Sequence, residues 1–238
     1  MSVAECLAAV RAKVDAATVA RAESLGEDPT LARHPRLVAV SKTKPVELLQ
    51  EAYDAGQRHF GENYVQELID KAPSLPADIE WHFIGHLQSN KVGMLIKGCP
   101  SLTCLETIDS EKLAKLANKE WLASGTSRKL RVMVQVNSSS EESKNGVDPQ
   151  GCVDLCRVIV EQCEGLELAG LMTIGAPDYS GCRTEDFEVL HKCRTEVAAA
   201  MGLELTNLEM SMGMSADFEN AIRQGSTSVR VGSSIFGA

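Results

Sequence analysis

The sequence predicts an α/β fold, a single (β/α)8 (TIM) barrel with an additional helix at its N-terminus, and three observations lead there. Short apolar runs bounded by turn residues recur along the chain, as strands buried on both faces require. Segments of helical period separate them, which implies parallel strands joined by right-handed crossovers. Eight such units fill about 200 residues, the size of a closed barrel, with an open doubly wound sheet as the alternative.

The opening helix covers about residues 2–24, where Val3, Leu7, Val10, Val14 and Ala17 recur at helical spacing with charges between them. The barrel spans about residues 37–237, and no linker or low-complexity stretch divides the 238 residues, so one domain is expected over 1–238. Leu37–Val40 is the first strand, and Pro45 suits the first turn of a helix over Val46–Ala55 closed by Gly56. Further strands are expected at His59–Asn63, Trp81–Gly85, Leu102–Ile108, Leu130–Asn137, Leu166–Ile174, Leu205–Ser211 and Ser228–Gly232. Helical patterns between them include Tyr64–Ala72, Ser110–Ser124, Pro149–Cys163, Glu185–Met201 and Ala216–Gln224.

Composition narrows function by exclusion. With 24 Lys and Arg against 33 Asp and Glu, the net charge of -9 leaves no basic footprint for nucleic acid. No apolar run reaches the ~18 residues that span a bilayer, and Met1–Ala22 has no signal-peptide core, so a cytoplasmic chain away from the membrane is expected. Eight cysteines without a Cys-x-x-Cys read as reduced thiols. Cys152, Cys156 and Cys163 fall at helical spacing among apolar neighbours and read as core. The helix patterns show no extra apolar face, which favours a monomer.

In a barrel the chemistry lies where the strands end. Side chains alternate along a strand, so Val38, Val40 and Lys42 share one face, and Lys42 stands at the mouth if that face points inward. An ordinary lysine amine is only about one part in 2,500 neutral at pH 7, and bringing its pKa to about 7 takes roughly 4 to 5 kcal/mol of desolvation. Lysines in such mouths form Schiff bases; a solvated lysine just past its strand is the plainer reading. Lys144 invites the same two readings, and Lys44 reads as surface. After the last two strands come Ser211-Met212-Gly213-Met214-Ser215 and Arg230-Val231-Gly232-Ser233-Ser234, where this fold commonly cradles phosphate with glycine amides, hydroxyls and an arginine. His82 and His86 straddle a strand, about 3.3 Å per residue apart, too far for one metal, so no metal site is expected. Neither a Gly-x-Gly-x-x-Gly fingerprint nor a Gly-x-Ser-x-Gly elbow occurs.

A strand-end lysine with a phosphate cradle suits pyridoxal 5′-phosphate (PLP), and the wording of the motifs agrees. Val40-Ser41-Lys42-Thr43-Lys44-Pro45, Phe60-Gly61-Glu62-Asn63-Tyr64-Val65-Gln66-Glu67, Trp81-His82-Phe83-Ile84-Gly85, Gly170-Leu171-Met172-Thr173-Ile174, the Ser211–Ser215 run and Val229–Gly237 together resemble the pyridoxal phosphate homeostasis protein family. The resemblance implies a fold-type III barrel, like the N-terminal domain of alanine racemase, with the cofactor held as an aldimine on Lys42. It places Asn63 beside the ring and Ser211, Gly213, Arg230, Gly232 and Ser233 on the phosphate-binding segments. Relatives usually run several residues beyond the position of Ala238. The implied role is carrying PLP in intracellular homeostasis and supplying it to apo-enzymes, without established catalysis. A PLP-dependent amino-acid racemase is the alternative, but it needs two positioned bases, and neither Tyr53, Tyr64 nor Tyr179 is evidently placed as the second. A Schiff-base aldolase acting on a phosphosugar shares the lysine and the phosphate site.

Overall fold

A computed structural model describes residues 1–26, 34–139, 145–174 and 183–237. Eight parallel strands close in sequence order into a barrel, with no strand exchanged: β1 (Arg36–Val40), β2 (His59–Glu62), β3 (Glu80–Phe83), β4 (Leu102–Ile108), β5 (Leu130–Gln135), β6 (Leu166–Met172), β7 (Glu209–Ser211) and β8 (Ser228–Val231). Closure is carried by β1, which pairs with β2 through Ala39 opposite Phe60 and with β8 through Val38 opposite Arg230. The open sheet is therefore excluded. The outer ring comprises α2 (Val46–Asp54), α3 (Val65–Lys71), α4 (Val92–Gly98), α5 (Glu111–Ala123), α6 (Cys152–Gln162), α7 (Thr184–Met201), α8 (Phe218–Arg223) and the single turn α9 (Ser233–Phe236).

The additional helix, α1, runs over Val3–Leu25 because its ends are chemically marked. Ser2 and Glu5 form a reciprocal capping box, and Gly26 ends the helix at φ 68°, a left-handed geometry that favours glycine. Its buried stripe of Val3, Leu7, Val10, Val14 and Ala17 packs against α2, α8 and α9.

Two elements depart from the periodicity. The expected strand at Leu205–Ser211 is only Glu209–Ser211. Leu205–Asn207 forms a 3-10 turn whose residues are exposed, so their apolar and polar alternation had no sheet to face. The helix α4 lacks a readable period in the sequence, since its seven residues include Gly93 and Gly98.

The core has two parts. A large apolar layer lies between barrel and helices and includes Cys152, Cys156 and Cys163. The barrel interior holds only a small apolar cluster, Cys104, Met133, Ala169 and Met172. Polar side chains fill much of the rest. No helix among the described residues is long and apolar enough to cross a membrane.

Candidate ligand site at the barrel mouth

At the C-terminal ends of the strands lies a cavity of about 740 Å³. Val40 and Lys42 enter its wall from the end of β1, Asn63 from β2, Ile84 from β3 and Ile174 from β6. Met214, Ser215 and Ala216 line it from the β7–α8 loop, and Arg230, Gly232, Ser233 and Ser234 from the end of β8.

Asn63 reaches the wall because Gly85 lets the neighbouring strand end close over it. A Cβ at Gly85 would stand 2.0 Å from the Asn63 carbonyl oxygen, so no side chain is tolerated there. Asn63 Oδ1 is buried and has no partner within the protein, which leaves a polar group for a ligand to satisfy.

The two loops of the expected cradle are tied together. Gly232 N–H donates to Ser215 Oγ at 3.1 Å, and a Cβ at Gly232 would lie 3.1 Å from the Val40 carbonyl oxygen. Ser233 is exposed to the cavity side.

Arg230 forms the floor. Its Nη1 donates to Ser211 Oγ at 2.5 Å and its Nη2 to the Thr173 carbonyl at 2.7 Å, so both forks are held while the guanidinium remains on the cavity wall. Beneath it the bonds continue through the barrel interior: Ser211 Oγ donates to Glu106 Oε2 at 2.6 Å, Glu106 Oε1 pairs with His82 Nδ1 at 2.6 Å, and His82 Nε2 meets His59 Nδ1 at 3.3 Å. Burial opposes ionisation of Glu106, but the hydrogen bond and charge of His82, with Arg230 nearby, hold its carboxyl below the usual range.

Lys42 sits in a turn that is fixed on both sides. Ser41 N–H donates to the Gly61 carbonyl at 2.9 Å and Ser41 Oγ to Glu62 Oε1 at 2.7 Å. The buried Lys71 Nζ, from the last turn of α3, donates to the Ser41 carbonyl at 2.9 Å, to Glu62 Oε1 at 2.8 Å and to Glu67 Oε2 at 2.7 Å. Glu67 Oε2 also accepts from Thr43 N–H at 2.7 Å. Burial pushes the Glu62 carboxyl up, against the pull of Lys71 and Ser41. At Glu67 burial opposes ionisation as well, yet Lys71 and the Thr43 amide hold that carboxyl low.

Of the residues expected from the sequence, Lys42, Asn63, Arg230, Gly232 and Ser233 meet on one cavity. Ser211 and Gly213 do not reach its wall: Ser211 lies under Arg230, and Gly213 turns the chain at φ 97° against α8, where a Cβ would be 2.5 Å from Ala221 Cβ. Lys144 and Tyr179 lie outside the described residues, and Tyr53 is bonded to Asp78 at the opposite end of the barrel. Sequence reasoning gave no individual role to Glu62, Glu67, Lys71 or Glu106, and met Ser215 only within the Ser211–Ser215 loop. A carboxylate inside an apolar strand, as in Leu105-Glu106-Thr107, was the available signal for Glu106.

An eight-stranded barrel with a lysine past its first strand and glycine–serine loops past its last two defines a class of ligand-binding barrels, and the sequence model for "Alanine racemase, N-terminal domain" matches residues 29–238. The human pyridoxal phosphate homeostasis protein is 47% identical over 238 residues, covering 97% of this chain and 84% of its own. Among solved structures, PipY of Synechococcus elongatus with PLP bound is similar at TM-score 0.69 and 33% identity, over 92% of this chain and 100% of that one. The alanine racemase of Corynebacterium glutamicum shares the fold, at TM-score 0.65 and 17% identity, over 95% of this chain and 61% of its own. The chain belongs to the pyridoxal phosphate homeostasis protein family.

Proposed function

We propose that this chain binds PLP in the mouth cavity, linked to Lys42 as a Schiff base, and acts in PLP homeostasis as a cytosolic carrier that supplies apo-enzymes. The observation that carries this reading is the convergence of Lys42, the unsatisfied Asn63 amide, Arg230 and the Gly232–Ser233 turn on one cavity. The cofactor brings an aldehyde that condenses with a primary amine, an aromatic ring with polar substituents, and a phosphate.

Each feature has a counterpart in the wall. Lys42 supplies the amine. Asn63, whose amide can donate or accept, meets the ring substituents. Val40, Ile84 and Ile174 provide apolar surface for the ring faces. The phosphate belongs at Gly232 and Ser233: the Gly232 N–H is taken by Ser215 Oγ, but no Cβ at Gly232 blocks the approach to the N–H groups that open the following turn. Arg230 puts a fixed positive charge under the anionic ligand in a chain of net charge -9.

Borohydride reduction tests the linkage: pyridoxyl label on the peptide containing Lys42 is expected, and label elsewhere overturns it. Mixing the holo-protein with apo PLP enzymes tests the carrier role. Activation faster than by the same concentration of free PLP supports it, while Lys42-dependent racemisation of single L-amino acids would replace it with the racemase reading.

A further inference from the structure

We propose that Glu67 is a positioning residue for Lys42, holding the turn that carries the lysine in a backbone conformation it would otherwise leave. The inference deepens the reading above and rests on it.

The turn is Ser41-Lys42-Thr43-Lys44, closed by Lys44 N–H donating to the Ser41 carbonyl at 3.1 Å. Its third residue, Thr43, has φ 62° and is the one non-glycine residue with positive φ among those described. Turns with positive φ at that position ordinarily carry glycine or asparagine there, and a β-branched residue pays the steric cost in full. Such backbone persists only where its surroundings over-determine it. At Thr43 itself the hold is a carboxylate: Glu67 takes the Thr43 amide hydrogen at 2.7 Å, and Lys71 fixes Glu67 at 2.7 Å while its own other bonds run to Ser41 and Glu62. The residues before and after Lys42 are thus gripped from the same helix, α3. The backbone between those two grips fixes the direction in which the Lys42 side chain leaves the turn.

A ligand that bonds covalently to Lys42 depends on that aim; a ligand held only through its phosphate and ring does not. Pyridoxamine 5′-phosphate has an amine in place of the aldehyde and cannot condense with lysine, so it isolates the second kind of binding. In Glu67→Ala, PLP affinity and the rate of borohydride trapping at Lys42 should fall about tenfold, the weight of one left-handed residue, with pyridoxamine 5′-phosphate affinity within about twofold of wild type. Glu67→Gln keeps an acceptor for Thr43 N–H and should lose less. Adding Thr43→Gly to Glu67→Ala should recover most of the loss, because glycine adopts the turn unaided. Equal losses for both ligands, no loss for PLP, or no recovery in the double variant each overturn the proposal. A wild-type protein that forms no reducible linkage at Lys42 overturns instead the reading on which it rests.

Discussion

The two ends of the barrel both carry buried charge, and they dispose of it differently. At the N-terminal end, Glu209 receives Arg36 through both carboxylate oxygens, at 2.5 and 3.0 Å, and Arg131 at 2.8 Å. A cavity of about 920 Å³ opens beside this end, larger than the one at the mouth, yet most of its charged side chains are engaged within the protein: Arg131 also reaches Glu167 at 3.8 Å, Arg58 pairs with Asp78 at 3.0 Å, and Arg128 donates to the Leu102 carbonyl at 2.6 Å. At the C-terminal end the bonds stop short of the wall, leaving Asn63 Oδ1 unsatisfied and the Arg230 guanidinium facing the cavity. Cavity size therefore misleads here, and hydrogen-bond accounting separates a structural end from a functional one.

The sharpest break of that symmetry pairs one substitution at each end. Lys42→Ala should abolish the reducible PLP linkage and leave the melting temperature within about 2 °C, since it removes no packed core group. Glu209→Ala should do the reverse, costing about 3 to 5 kcal/mol in denaturant unfolding by stranding two arginines, with PLP still bound at low temperature. Loss of binding and stability together in both variants would show that the ends are not separable.

Next in size is the acid limb of stability, which should belong to the lower end. Burial lowers the His59 pKa from 6.5 to about 3, so as pH falls through that window the unfolded chain takes up a proton that the folded one refuses, and stability declines by up to a few kcal/mol. Burial works against ionisation of Glu209, but Arg36, with Arg131, holds its carboxyl down at about 2 from 4.5; its contribution is present above 4.5 and drains away towards 2. Urea titrations across pH should show His59→Gln flattening the upper window and Glu209→Gln the lower.

Two smaller effects sharpen the upper end. Gly85→Ala must displace the Asn63 backbone and should weaken PLP binding roughly tenfold, for about 1 to 3 kcal/mol of stability, by calorimetry and thermal melts. Ser215→Ala removes the acceptor for Gly232 N–H and should cost about 0.5 to 1.5 kcal/mol, seen more in PLP than in pyridoxal affinity. Equal effects on the two ligands would detach Ser215 from the phosphate.

The same comparison explains what could be read from the chain alone. Strand runs such as Leu37–Val40 and the loops past the last two strands were legible because burial on two faces and glycine-rich turns leave local marks. The site's backbone supports were not. Lys71 and Glu67 form an ordinary-looking i, i+4 pair on a helix, and only the pairing of β1 with β2 brings them against Ser41 and Thr43, with Ser41 thirty residues before Lys71 in the sequence. Ser211 looked like a ligand residue because it ends its strand, but alternation turns it towards Arg230 and Glu106.

The helix α1 lies outside the barrel's repeating scheme, yet it clasps α8 and α9, the elements entered from the loops that wall the cavity. Any coupling between occupancy of the mouth and seating of the N-terminus through these contacts must be reciprocal, equal in free energy whichever end is perturbed. Protease sensitivity at the first residues, compared with and without PLP, measures that coupling directly.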